Sequence, residues 1–130
     1  MNLMVCFDGS DVSYHALRIA IKRASRLGAE IFIVTSMVSG KDVSTQDYDN
    51  AEKLLKKAKS KVAEAAIPCE TLLSVKSLTA GENLSRIANE KSMDEVYIGV
   101  KRRSKVGKLV FGSTAQYVIL NAPCPVVTVK

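Results

Sequence analysis

The sequence predicts one α/β domain over residues 1–130, with a five-stranded, mostly parallel sheet and helices on both of its faces. Short, unbroken apolar runs such as residues 3–7 are typical of strands that are buried on both faces. Between these runs lie longer segments whose apolar residues recur at the spacing of an α-helix. Strands that alternate with helices in this way form a mostly parallel sheet. The composition, 47% hydrophobic and 25% charged, is ordinary for a globular protein.

The first strand is predicted at residues 3–7 and is followed by a turn at residues 8–10. Ser10 or Asp11 can cap the helix that comes next, because their side-chain oxygens accept hydrogen bonds from its free N–H groups. Gly28 is predicted to end this helix as its C-terminal cap. The inward face of the helix is predicted to consist of Ala16, Leu17, Ala20, Ile21, Ala24 and Leu27.

The second strand is predicted at residues 31–34, and the polar residues 39–47 are predicted to form a loop. A helix follows at about residues 48–66, and Pro68 stops it because proline cannot continue a helix. The lysines and glutamates of this helix are expected to face water. Its apolar face is predicted to consist of Ala51, Leu54, Leu55, Ala58, Val62 and Ala65.

The second half of the chain repeats the alternation of strand and helix. A third strand is predicted at residues 71–75 and a fourth at residues 96–98, with a helix at residues 81–91 between them. A last helix at residues 113–121 precedes a terminal strand at Val126–Val129. The inward face of the third helix is predicted to contain Leu84, Ile87 and Ala88.

Charge and aromatic content restrict the class of partner. The net charge of +6 is compatible with phosphorylated ligands, nucleic acid or an acidic membrane surface. Aromatic residues make up only 5% of the chain and Trp is absent, so an RNA-binding surface built on base stacking is not expected. No apolar run approaches the length of a membrane span, and we expect no signal peptide before the first strand. We therefore expect a cytoplasmic protein.

The three cysteines, Cys6, Cys69 and Cys124, are far apart and lie in apolar, strand-like runs. No Cys-x2-Cys or Cys/His pair is present, so a structural zinc site is not expected. We expect all three to be reduced core residues in a reducing compartment.

A basic loop bounded by Gly99 and Gly112 connects the fourth strand to the last helix. Glycines let the backbone approach a ligand, and free N–H groups at a helix start point towards an anion. The loop's basic side chains are Lys101, Arg102, Arg103, Lys105 and Lys108. This pattern predicts a phosphate-bearing ligand, most simply a nucleotide, although a solvated basic crossover would look similar. A nucleic-acid patch is disfavoured because aromatic residues are not interleaved with the basic ones.

Other polar residues are expected to share an edge of the sheet with this loop. Asp8, Ser36 and Gly99 each follow a predicted strand, and ligands of parallel sheets bind beyond the carboxyl ends of the strands, where the strand order switches. Asp8 could equally be a turn residue before a glycine. Ser10 and Ser113 could each be a helix cap, a ligand contact or both.

Three local patterns coincide along the chain. They are the turn at residues 8–10, the loop from Gly99 to Gly112 and Ser113, and the proline-containing ending at residues 122–129. Together they resemble the universal stress protein family, and the resemblance covers essentially the whole chain. The family implies a Rossmann-like sheet of the adenine-nucleotide α-hydrolase type.

Family members with a nucleotide motif carry Gly-x2-Gly-x9-Gly-Ser/Thr and bind ATP. Gly99, Gly112 and Ser113 match this motif, whereas Arg102 stands in the place of the second glycine. Arg102 could instead hold phosphate oxygens with its planar guanidinium. The resemblance thus implies ATP as the ligand, with Mg²⁺ or Mn²⁺ as its counter-ion.

The resemblance also implies roles for individual residues. Asp8 matches the aspartate that recognises adenine or ribose, and Ser36 lies near the position whose backbone contacts adenine. The last helix would offer N–H groups and hydroxyls to the phosphates. The complete set of implied nucleotide-binding residues is Asp8, Gly9, Ser10, Ser36, Gly99, Val100, Arg102, Arg103, Gly112, Ser113 and Thr114.

Family members commonly form homodimers through the last strand, here Val126–Val129. The resemblance implies a regulatory protein of the stress response that acts as such a dimer. We do not expect an enzyme, because no Ser/His/Asp set is visible and His15, the single histidine, is expected at the surface. Two alternatives stay open: a dimeric scaffold that binds no nucleotide, favoured by Arg102, and a weak ATPase.

Overall fold

The computed structural model describes residues 1–40, 42–100 and 112–130. Strands and helices alternate along these residues, as the sequence predicts. The strands are β1 (Asn2–Cys6), β2 (Glu30–Val38), β3 (Cys69–Lys76), β4 (Glu95–Gly99) and β5 (Val126–Val129). The helices are α1 (Asp11–Leu27), α2 (Thr45–Glu64), α3 (Ala80–Glu90) and α4 (Ser113–Asn121).

The five strands form one sheet in the order β3-β2-β1-β4-β5, and all neighbouring strands are parallel. The chain builds outwards from β1 through β2 to β3, then returns to the other side of β1 for β4 and β5. The strand order therefore switches between β1 and β4. In sheets of this type a crevice opens at the carboxyl ends of the two strands at the switch. The predicted fold class is confirmed.

Alternate residues of the buried strands pack into two separate cores. Leu3 and Val5 of β1 face a core that contains the buried residues of α1 and α2. Met4 and Cys6 face a second core on the other side of the sheet, formed with α3 and α4. Because both sheet faces are covered, the strands read as continuous apolar runs.

The predicted helix ends agree with the structure at α1 and differ at α2. Ser10 is the N-cap of α1, and its side chain accepts a hydrogen bond from the N–H of Ser13. Gly28 ends α1 in the left-handed conformation with φ 65°. Helix α2 begins at Thr45, earlier than predicted, because Ser44 and Asp47 form a reciprocal capping box in what looked like a polar loop.

Most residues of the predicted apolar helix faces are buried, with two clear exceptions. Leu27, in the last turn of α1, is 45% exposed. Ala65 is exposed and lies beyond Glu64, the last residue of α2. Both residues are at helix ends, where the apolar periodicity of a sequence continues past the part of the helix that packs on the sheet.

Strand β2 is longer than predicted, and this changes the position of Ser36. Register pairing with β1 ends at Val34, opposite Cys6, but β2 continues beside β3 to Val38. Ser36 therefore lies within β2. The sequence had predicted that it follows the end of this strand. It still reaches the carboxyl edge of the sheet, because β1 has already ended there.

The three cysteines are free, but only Cys6 is a true core residue. Cys6 is buried, whereas Cys69 and Cys124 are partly exposed at the margins of the two cores. Burial raises the pKa of the Cys69 thiol to about 11 and also raises that of Cys124.

None of the helices in the described residues is long and apolar enough to cross a membrane.

Candidate functional site

A cavity of about 340 Å³ opens at the carboxyl edge of the sheet, at the switch between β1 and β4. Its volume is within the range of small-molecule sites, which is roughly 300 to 1,000 Å³. The turn after β1, the strands β2 and β4, and the first turns of α3 and α4 all contribute to its wall. The predicted site residues that line it are Asp8, Ser10, Ser36, Gly99, Gly112, Ser113 and Thr114.

The turn after β1 presents a carboxylate to this cavity. Asp8 is exposed, and its Oδ1 accepts a hydrogen bond of 2.9 Å from the backbone N–H of Ser10. Gly9 does not line the cavity. Its φ of +83° favours glycine, and a Cβ at this position would lie 2.7 Å from a methyl carbon of Leu54. Gly9 therefore shapes the turn that places Asp8 at the cavity.

Helix α4 points its N-terminus into the cavity. Gly112 is the N-cap and, as glycine, has no side chain that could cap the first turn. Residues 112–115 all line the cavity. The first N–H groups of a helix have no partner within the helix and carry a partial positive charge, so they form a ready site for an anion. Ser113 lies inside the helix and does not act as the cap that the sequence allowed.

Gly99 and Val100 have structural roles at the end of β4. A Cβ on Gly99 would lie 2.8 Å from Cγ2 of Val12 and 2.9 Å from its backbone carbonyl carbon, so glycine lets β4 pack against α1. Val100 is buried, does not line the cavity, and donates a backbone hydrogen bond of 2.7 Å to the carbonyl of Val129. Only Gly99 of this pair borders the space that a ligand would occupy.

Apart from Ser13, the remaining wall of the cavity is apolar. It consists of Cys6, Phe7, Val12, Val34, Ala80, Leu84, Ile98 and Ala115. The pKa of the Cys6 thiol is raised to about 12, first by burial and then by the negative charge of Asp8. At neutral pH the thiol is therefore uncharged and a poor nucleophile, and Cys6 acts as part of the apolar wall.

A second cavity, of about 330 Å³, shares Asp8 and Ser36 with the first. Its other lining residues are Thr35, Met37, Asp47, Asn50, Ala51 and Leu54, from β2 and α2. A ligand that extends from α4 past the end of β1 would thus meet further space beside β2. Asp47 and Asn50 were not predicted from the sequence as site residues.

No metal centre is evident in the described residues. They contain no group of three or more His, Cys, Asp or Glu side chains that could hold a metal ion. His15 does not line the cavity: it is half-buried, and its Nδ1 lies 2.8 Å from the backbone carbonyl oxygen of Lys130. The arrangement suits binding of an anionic ligand with an apolar moiety.

Comparison with known proteins relates this site to a family. The model of the universal stress protein family matches residues 1–130. The chain belongs to the universal stress protein family. A curated universal stress protein from Thermus aquaticus is 28% identical over 98% of this chain and 97% of its own length.

Solved structures of universal stress proteins share the whole fold. One from Archaeoglobus fulgidus is 31% identical, with a TM-score of 0.92 over 100% of this chain and 98% of that chain. A structure from the same organism in complex with dAMP is 27% identical, with a TM-score of 0.86 over the same shares of the two chains. The family suggested by the sequence patterns is confirmed.

Part of this universal stress protein's nucleotide motif lies outside the described residues. Arg102 and Arg103 belong to that part, as do Lys101, Lys105 and Lys108. The two ends of the motif, Gly99 and Gly112 with Ser113, meet at the same cavity. The roles of the arginines therefore stay predictions from the family motif.

One polar residue behind the cavity, Asn83 of α3, was not predicted from the sequence. Its side chain is fully buried and donates a hydrogen bond of 2.9 Å to Oγ of Ser36. The signal for it in the sequence was an amide side chain on the inward, apolar face of α3, one residue before Leu84. Buried polar side chains are rare and need hydrogen-bond partners, so such a residue marks a specific contact.

Proposed function

We propose that this universal stress protein binds an adenine nucleotide in the cavity at the strand-order switch. One observation carries the proposal: the N-terminus of α4, whose N-cap is a glycine, and the polar side chains Asp8 and Ser36 open onto the same largely apolar cavity. The complex of the Archaeoglobus fulgidus relative with dAMP supports an adenine nucleotide as the ligand.

The chemistry of the cavity suggests an orientation for the nucleotide. The phosphates would lie at residues 112–115, where helix N–H groups attract negative charge. The ribose and base would extend past Asp8 towards Ser36, along the apolar wall. A carboxylate such as Asp8 accepts hydrogen bonds from ribose hydroxyls or an exocyclic amino group, but repels phosphate.

The finer parts of the proposal come from the family motif and the family's known behaviour. They are ATP as the nucleotide, with Mg²⁺ or Mn²⁺, a homodimer through Val126–Val129, and a cytoplasmic regulatory role in the stress response. On this view the phosphates neutralise the basic loop between Gly99 and Gly112, and the bound protein presents a changed surface to a partner.

The first test is to identify the nucleotide by mass spectrometry of the supernatant from denatured, freshly purified protein. The emptied protein is then titrated with AMP, ADP and ATP in a calorimeter, with and without Mg²⁺. We expect saturable binding of an adenine nucleotide. ATP that binds more tightly than AMP would support the ATP motif despite Arg102.

Two other outcomes separate the alternatives. If the protein carries no nucleotide and none of the three gives heat, the proposal is wrong and a dimeric scaffold of the same fold is favoured. If ATP binds and phosphate is released above a buffer control, the protein is a weak ATPase. That release should fall in Asp8→Ala, because this variant lacks the carboxylate that would hold the ribose or the base of ATP.

A further inference from the structure

Asn83 connects α3 to two strands through a fully buried side-chain amide. Its Nδ2 donates to Oγ of Ser36 in β2 and to Oγ of Ser74 in β3, each at 2.9 Å. Its Oδ1 accepts a hydrogen bond of 2.7 Å from Nη2 of Arg86. Because a guanidinium can only donate, the oxygen of the amide must face Arg86 and the nitrogen must face the two serines.

This orientation determines how the Ser36 hydroxyl can bond. Its oxygen already accepts from Asn83, so its own hydrogen must point away from that residue. Within the described part of the chain, no hydrogen bond uses this hydrogen. Ser36 lines both cavities at the carboxyl edge, whereas Ser74 is buried and lines neither. The Ser36 hydroxyl therefore offers a donor to whatever occupies the site.

We propose that Asn83 is a positioning residue that holds the Ser36 hydroxyl as a hydrogen-bond donor to a ring nitrogen of the bound purine. This inference rests on the proposed function and names the group that would recognise the purine base, the Ser36 hydroxyl. Strand β2 is separated from β4 by β1, which places Ser36 roughly 10 Å across the sheet from β4. The base end of a nucleotide whose phosphates bind at α4 would reach that distance.

The chemistry of adenine matches a fixed donor. Its ring nitrogens are acceptors, and its only donor at the base edge is the exocyclic amino group. A hydroxyl that freely rotates could serve either kind of atom, but one that accepts from Asn83 presents its hydrogen to the ligand. The hydrogen bond would lie beside Val34 and Leu84, where little water competes with it.

Ser74 provides a matched control. Ser36→Ala and Ser74→Ala each remove one hydroxyl and leave one amide hydrogen of Asn83 without an acceptor, so a purely structural role predicts similar effects. Only Ser36→Ala removes a group from the cavity. We expect Ser36→Ala to weaken AMP binding about 5- to 10-fold, the value of one hydrogen bond, and Ser74→Ala to stay within about twofold of the wild type.

A third variant tests the positioning role of Asn83. Asn83→Asp keeps the shape of the side chain and the bond to Arg86, but a carboxylate accepts and cannot donate. The Ser36 hydrogen would then turn towards residue 83 and away from the ligand. We expect AMP binding to weaken as much as in Ser36→Ala, in a protein whose circular dichroism and thermal unfolding show that it is folded.

The closing experiment uses calorimetric titration of the emptied protein with AMP and with its 1-deaza, 3-deaza and 7-deaza analogues. One analogue should bind the wild type more weakly than AMP does, and should bind Ser36→Ala as well as it binds the wild type. That analogue identifies the ring nitrogen. Equal AMP affinities of Ser36→Ala and the wild type overturn the inference alone, as does an equal loss in Ser74→Ala. A wild type that binds no AMP or other adenine nucleotide overturns the proposed function and this inference together.

Discussion

Gly99 at the end of β4 lies directly against Val12 in the first turn of α1. A Cβ on Gly99 would approach Cγ2 of Val12 to 2.8 Å and its backbone carbonyl carbon to 2.9 Å. The family motif suggests that this glycine makes room for phosphates. The structure gives a further reason for glycine here, which is the close packing of a strand end against the helix that follows Asp8 and Ser10.

This contact predicts that Gly99→Ala destabilises the fold. The backbone of Val12 cannot rotate away from the new methyl group, so α1 or β4 must shift. Overpacking of this kind costs typically about 1 to 3 kcal/mol of unfolding free energy, measurable by urea titration. Gly40→Ala is the control, because a Cβ at Gly40 meets no atom within 4 Å in the part of the chain that the structure describes. Equal stability of the two variants would show that the Gly99 contact is not tight in solution.

Because the N-cap of α4 is a glycine, we expect the substitution Gly112→Asp to have opposite effects on stability and on nucleotide binding. A Cβ at Gly112 meets no atom of the described residues within 4 Å, and the carboxylate of Gly112→Asp can cap the helix. We expect unchanged or slightly higher stability in thermal unfolding. Nucleotide binding should be lost, since like charges about 4 Å apart at a protein surface repel by about 4 kcal/mol.

Gly112→Asn separates charge from shape in this experiment. Asparagine caps helices as well as aspartate does, but carries no charge. We expect Gly112→Asn to bind AMP at least about tenfold more tightly than Gly112→Asp does, as like-charge repulsion requires. Similar affinities of the two variants would place the phosphates away from α4.

We expect the Glu95 side chain to make a pH-dependent contribution to the free energy of unfolding. Its oxygens accept from Nε and Nη2 of Arg23 at 2.8 Å each, and Oε1 also accepts from the hydroxyl of Tyr97 at 2.9 Å. The hydrogen bonds from Arg23, foremost, lower the pKa of Glu95. A carboxyl whose pKa is lower in the folded state stabilises the protein above its unfolded pKa, and this stability is lost as the pH falls through the folded value.

Glu95→Gln removes this contribution. We expect the variant to be less stable than the wild type at pH 7, and the difference to shrink below about pH 4, near the ordinary pKa of glutamate. Urea unfolding at the two pH values measures both effects. Glu90→Gln is the control, because Glu90 forms an exposed i,i+4 pair with Arg86 that should contribute little. If the difference in stability between Glu95→Gln and the wild type is the same at both pH values, the lowered pKa of Glu95 is not its cause.

The free edge of β5 allows a test of the proposed homodimer. Backbone bonds from Val96 to the carbonyl of Pro125 and from Val100 to that of Val129 show that alternate residues of β5 face β4. Thr128 therefore directs its N–H away from β4. Thr128→Pro removes that donor and leaves the ladder to β4 intact. Light scattering should show a dimer for the wild type and for Thr128→Ala, but a monomer for Thr128→Pro.

The arrangement of strands and helices could be predicted from the sequence because local signals agree with the fold. Ser10 and Gly28 have the side chain and the backbone freedom that helix ends require. The apolar runs of the strands follow from burial on both faces. The end of β2 could not be predicted, because Thr35 to Val38 are held by pairing with β3, a partner distant in sequence. Likewise, Ser44 and Asp47 form a capping box within a segment that is polar throughout.

By itself the sequence determined the fold class, the family and the meeting of Asp8, Ser36 and Gly99 at one edge of the sheet. These follow from local periodicity, motif spacing and the rule that parallel strands end at a common edge. Only the tertiary structure decided that Gly99 packs on Val12 and that a buried Asn83 orients the Ser36 hydroxyl. Such contacts join residues far apart in the chain, and their geometry depends on how helices sit on the sheet, which no local pattern specifies.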